Sequence, residues 1–115
     1  MQRLFAVTAS AGGSPGLAAE VIWSDDGGAT TEDTSVTTLA ANEDPDDMAC
    51  VGTRLVIVSN ESLSLHHALI EDILDGTETW AEVATGFVAA KGPNAIFSLG
   101  ASFTWIVGNG GYIYF

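Results

Sequence analysis

The sequence predicts an all-β chain built of repeated antiparallel sheets, and three observations carry that expectation. The apolar runs are short, rich in Val, Ile, Thr, Phe, Tyr and Trp, and bounded by Gly, Pro, Asn, Asp and Ser, which is the strand-and-turn pattern. Paired apolar runs recur. Arg3-Leu4-Phe5-Ala6-Val7-Thr8 leads to Glu20-Val21-Ile22-Trp23-Ser24, and Arg54-Leu55-Val56-Ile57-Val58-Ser59 leads to His67-Ala68-Leu69-Ile70. Phe103-Thr104-Trp105-Ile106-Val107-Gly108 leads to Tyr112-Ile113-Tyr114-Phe115. The first members of these pairs start roughly 50 residues apart, a period of the length used by solenoids, propellers and arrays. Helical periodicity is weak throughout. Its best candidate, residues 62–74, also reads as a strand over about 65–72, and the repeat register favours the strand.

In order along the chain, the expected architecture is a β-propeller section of two to three antiparallel four-stranded blades, the first and last incomplete, with strands A to D from axis to rim. Residues 1–41 form a partial blade with B at 3–9, C at 19–24 and D at 32–38. Residues 42–88 form a full blade with A at 47–51, B at 54–60, C at 65–72 and D at 79–85. Residues 89–115 form a second partial blade with A at 94–99, B at 103–108 and C at 111–115. The links are turn material: Ala11-Gly12-Gly13-Ser14-Pro15-Gly16, the acidic stretch 42–47 around Pro45, Lys91-Gly92-Pro93-Asn94, and the hairpin signal Asn109-Gly110-Gly111.

Unbroken apolarity in the B strands, such as Leu55-Val56-Ile57-Val58, has a physical meaning. A half-exposed strand alternates, whereas one covered on both faces need not. The pattern asks for sheets on both sides of each sheet, more than the chain itself supplies, and an aromatic β end such as Tyr112-Ile113-Tyr114-Phe115 is a liability as a bare edge. The expected partners are therefore further blades of a larger polypeptide or neighbouring protein subunits.

Composition excludes several function classes. There are 15 Asp plus Glu against 3 Lys plus Arg, a net charge of −12, and such a surface repels nucleic-acid backbones. The apolar fraction of 47% argues against disorder. No apolar run approaches the roughly 18 residues of a membrane-spanning helix, and Leu4 to Val7 is too short for a secretory core of about 7–15 residues; no membrane insertion is expected. The lone Cys50 lies in an apolar run and reads as a small buried hydrophobe.

The sharpest motif is Ser24-Asp25-Asp26-Gly27-Gly28-Ala29-Thr30-Thr31. It resembles the Asp-box, or BNR repeat, Ser-x-Asp-x-Gly-x-Thr-Trp, which occupies the C–D hairpin of certain β-propeller blades. A hydroxyl and a carboxylate in a tight turn accept backbone N–H groups, and Gly permits positive φ. Ser24, Asp26, Gly28 and Thr30 match by position, while Thr31 stands where the family has its aromatic residue. A degenerate echo follows in Asp75-Gly76-Thr77-Glu78-Thr79-Trp80: Asp75, Thr79 and Trp80 fall in register, but Ile73 replaces the Ser and Thr77 the Gly. Asp-boxes occur in sialidases, photosystem assembly factors, sortilin-type receptors and many bacterial and phage proteins. The resemblance implies a structural role for these residues at the blade rim, away from any axial site. The stretch 94–114 is also similar to repeat modules of phage-like virion and tail proteins, which implies a virion or extracellular location.

Catalysis is not expected within these residues. A sialidase-type site needs an arginine cluster, a Tyr nucleophile and an acid/base carboxylate, and the chain offers only Arg3 and Arg54, which read as neutralising local carboxylates. His66 and His67, adjacent in a strand, point to opposite faces and read as a polar surface pair. The acids Glu43, Asp44, Asp46 and Asp47 lack regular Ca²⁺-loop spacing, so no metal or cofactor is expected. Trp23, Trp80 and Trp105 read as packing residues rather than sugar platforms. The expected function is that of a structural or interaction module, plausibly of a virion or tail assembly. The alternatives are a glycan- or protein-binding cell-surface propeller, or a fragment of a sialidase-like glycoside hydrolase whose catalytic residues lie elsewhere.

Overall fold

The computed structural model describes residues 3–8, 19–40, 43–84 and 86–114. The expected link at 11–16, the outer ends of the strands set at 3–9 and 111–115, and residues 41, 42 and 85 lie outside the described residues. What is described is all-β apart from one short helix, arranged as three small antiparallel sheets. The first holds β1 (Leu4–Val7), β2 (Glu20–Ser24) and β3 (Glu32–Ser35) in chain order. The second holds β4 (Asp47–Val51), β5 (Arg54–Ser59), β6 (Ser64–Leu69) and β7 (Ala81–Val83), also in order. The third holds β8 (Pro93–Leu99), β9 (Phe103–Gly108) and β10 (Ile113–Tyr114).

The second sheet is covered on both faces. One side, through Leu55, Ile57 and Ala68, packs on Val21, Phe5, Val7 and Trp23 of the first sheet, with Val36 and Leu39 closing the margin. The other side, through Val56 and Val58, packs on Ile96 and Ile106 of the third sheet, with Tyr114 beside them. Consecutive residues of β5 thus enter two different cores, and every residue of that strand after Arg54 is buried. Its unbroken apolar run follows from this, since each face must lose its water. Polar links tie the stack together: the Asp47 carboxylate accepts the Ile96 N–H at 2.9 Å, Thr34 bonds Glu78, and Asn60, Asn94 and Asn109 form a side-chain ladder.

The strands expected over 32–38, 79–85 and 111–115 are shorter, at Glu32–Ser35, Ala81–Val83 and Ile113–Tyr114, and one element differs in kind. The strand expected over 65–72 stops at Leu69, and Ile70–Asp75 is a helix, α1. Glu71 and Asp72 lie in its first turn, where the helix dipole favours negative charge. Gly76 ends it in the left-handed region at φ 71°, and Thr77 N–H returns to the Asp72 carbonyl at 2.9 Å. Burial of Ile73 in the first core holds the turn in place. The apolar spacing of 62–74 therefore belongs to a strand and a helical turn in succession, which repeat register alone does not separate.

Candidate interaction surface

The outward face of the third sheet is the feature of the molecule with the least cover. Phe97 pairs with Trp105 across β8 and β9, Leu99 with Phe103, and Val107 with Ile113 across β9 and β10. Period-2 alternation puts all six side chains on one side of the sheet. Their relative exposures run from 39% at Trp105 to 65% at Leu99. The Phe97 and Trp105 rings stack at 5.8 Å with 9° between planes, and with Val107 and Ile113 they line a shallow depression of about 370 Å³. Large contiguous exposed apolar patches are uncommon on monomeric proteins. The opposite parity of the same strands, Ile96 and Ile106, is buried against the second sheet. Strand β9 carries Phe103, Trp105 and Val107 on one parity and Thr104 and Ile106 on the other, and the covered face is the less apolar of the two, which alternation alone does not announce.

Ser24, Asp26, Gly28 and Thr30 come together in the turn between β2 and β3. The Ser24 hydroxyl accepts the Gly28 N–H at 2.9 Å and donates to Asp26 Oδ1 at 2.7 Å. The Asp26 carboxylate accepts the Thr30 N–H at 2.9 Å and the Thr30 hydroxyl at 2.5 Å. Gly27 and Gly28 both adopt positive φ, 74° and 95°, which side chains with a Cβ rarely accept. The Thr30 hydroxyl, the Thr30 N–H and the Ser24 hydroxyl, in that order, lower the Asp26 carboxyl to about 2 by bonding to its charged form. The turn is a self-contained hydrogen-bond network at the edge of the sheet.

Asp75, Thr79 and Trp80 form no corresponding turn. Asp75 is the last residue of α1, and the connection from β6 to β7 is a helical turn rather than a tight hairpin. Trp80 is buried in the first core, and its indole N–H has no hydrogen-bond partner among the described residues. Trp23 packs on the same core, half-buried, whereas Trp105 lies on the open face.

His66 departs from the surface pair read in the sequence. The two rings do point to opposite faces, but His66 is fully buried and only His67 is half-exposed. Thr38 Oγ1 lies 2.7 Å from His66 Nδ1, and Ser62 and Ser64 hydroxyls lie 2.9 and 2.8 Å from Nε2. Ser62, Ser64 and His66 alternate on one face, a signal visible in the sequence once that face is known to be buried. Burial holds the His66 pKa below its usual 6.5 against the opposing pull of Glu82 and Glu43. The Arg54 guanidinium reaches His67 Nδ1 at 2.9 Å. Cys50, expected to be buried, is exposed on the edge strand β4, although Met48 on the same parity packs on the first core. Among the described residues no group of three or more His, Cys, Asp or Glu is placed to hold a metal ion, and no helix is long and apolar enough to cross a membrane.

No protein-family model, curated protein or solved structure matches this chain.

Proposed function

We propose that this chain is a structural or interaction module of the β-propeller kind, a section of a larger virion- or tail-associated assembly in which its sheets stack on further sheets. The open apolar face of the third sheet carries this reading. Two sheet-to-sheet contacts already bury four apolar faces, and Phe97, Trp105, Val107 and Ile113 present the same chemistry without a partner among the described residues. The Ser24–Asp26–Thr30 hydrogen bonds support the Asp-box reading of the first turn. The buried His66 has hydroxyls on both ring nitrogens and, among the described residues, no carboxylate hydrogen-bonded to it, so the Ser64–His66 contact lacks the orienting group and the open approach of a nucleophile–base pair.

A photo-cross-linker at Phe97 in the native assembly tests the proposal. Cross-links to another polypeptide segment are the expected result. Their absence, with full labelling by solvent reagents in the intact particle, would sink it. A second reading, glycan binding, draws on the depression of about 440 Å³ between the first sheet and α1, lined by Trp23, Asp33, Asp75 and Glu78 among others. An aromatic face beside hydrogen-bond acceptors suits a sugar. Glycan-array binding lost on Trp23→Ala would favour it.

A further inference from the structure

The three sheets are stacked with a common polarity, and that polarity specifies what the open faces fit. Aligning the repeated strands at Arg3, Arg54 and Phe103 makes Phe5, Val56 and Trp105 equivalent, and likewise Val7, Val58 and Val107. In the first sheet Phe5 and Val7 pack on the second sheet. In the second sheet Val56 and Val58 pack on the third. In the third sheet Trp105 and Val107 are exposed. The reverse faces obey the same rule. Leu55 and Ile57 receive the first sheet, Ile106 receives the second, and their equivalents Leu4 and Ala6 on the first sheet are exposed.

Each forward face therefore meets the reverse face of the next sheet, twice within the chain. Two of the forward faces also carry a cross-strand aromatic pair, Phe5 with Trp23 across β1 and β2 in the first sheet and Phe97 with Trp105 across β8 and β9, a different pair of strands, in the third. The first pair is covered by the aliphatic reverse face of the second sheet, Leu55, Ile57 and Ala68. The chain itself carries another small aliphatic patch, Leu4, Ala6 and Ile22, at the opposite end of the stack, with Glu20 and Asp33 beside Ile22 on the same face.

We propose that the open face of the third sheet docks the Leu4–Ala6–Ile22 face of a second copy of this chain, head to tail, repeating the sheet contact already made twice inside each copy. The inference rests on the stacking reading above and names its partner. Such a heterologous contact leaves one free face at each end, so it propagates into a ring or a filament rather than stopping at a symmetric dimer. The six side chains of the docking face carry no charge, while the chain as a whole is at −12. Salt screens the repulsion between copies and strengthens apolar burial, so association increases with ionic strength.

The test is light scattering coupled to size exclusion over a concentration series of the full chain, at low and high salt. Two variants block one face each: Trp105→Asp the forward face and Ala6→Lys the reverse, with Phe97→Asp and Leu4→Lys as second choices should either fail to give a native circular-dichroism melt. The wild-type mass is expected to rise above 11.9 kDa with concentration and salt. Each variant alone is expected to stay at one chain, and an equimolar mixture to give a dimer and nothing larger. Undiminished association of Ala6→Lys alone would mean a symmetric face-to-face contact and overturn the proposal. So would a wild type that stays monomeric under every condition. In that last case, cross-links from position 97 to a different polypeptide in the native assembly would leave the interaction-module reading standing without the second copy.

Discussion

Strand β5 supports a quantitative prediction, because Ile57 and Val58 are adjacent in sequence, both fully buried, and members of two cores with no residue in common. Ile57→Ala removes three carbons, worth about 2.4 kcal/mol at ~0.8 kcal/mol each, with a cavity cost that brings the loss to roughly 2–5 kcal/mol. Val58→Ala removes two carbons, about 1.6 kcal/mol before its cavity. Against a total of roughly 6–17 kcal/mol for a chain of this length, both single variants should fold. Since the two side chains enter different cores, the double variant should lose close to the sum of the two, any small departure reporting coupling through their shared backbone. Urea unfolding at pH 7, followed by far-ultraviolet circular dichroism and by the fluorescence of Trp23 and Trp80, measures all three. With a urea slope of about 1–3 kcal/mol per molar, the single substitutions move the midpoint by about a molar. A Val58→Ala loss below about 0.5 kcal/mol would refute the claim that the third sheet covers that face. Strong non-additivity would refute the separation of the two cores.

Gly108→Ala places a methyl 2.7 Å from the Lys91 carbonyl oxygen and 2.8 Å from that of Gly92; because backbone must shift, a loss of about 1–3 kcal/mol is expected in the same urea assay, and a neutral result would count against this close approach. Asp26 has its folded carboxyl lowered to about 2 from 3.8, so its contribution is complete above pH 4 and lost as pH falls through 2. A carbon-detected NMR titration should find the Asp26 carboxyl moved back toward 3.8 in Thr30→Val. His66 has a folded pKa below 6.5 through burial; below pH 6.5 the unfolded chain takes up the proton first, so stability falls on acidification through that window. Melting temperatures between pH 7.5 and 5 should show a slope that His66→Gln flattens more than His67→Gln, and equal flattening would contradict the difference in burial.

Much of the strand layout was legible in the residues. The runs around Val21, Ile57, Phe97 and Ile106 announce themselves by β-branched and aromatic content between turn residues, and the extent of β2, β4, β5, β8 and β9 follows within a residue or two. Two local features did not. Helix α1 is held by Gly76 and by burial of Ile73, and the second is a tertiary contact. His66 and His67 look alike in the sequence, yet one is sealed among Thr38, Ser62 and Ser64 because the end of the first sheet closes over it.

By itself the sequence determined that the chain is made of short strands in repeated groups, that the run Leu55 to Val58 suits a strand covered on both sides, and that Ser24, Asp26, Gly28 and Thr30 suit a hydroxyl- and carboxylate-capped turn. These are local properties: conformational preference, alternation, and hydrogen bonds spanning a few residues. Only the tertiary structure decided which face was covered, in β9 the side of Thr104 and Ile106 and not the more apolar side of Phe103, Trp105 and Val107. The hydrophobic effect is non-directional. It makes both faces seek cover, and the order in which the three sheets stack leaves one of them open.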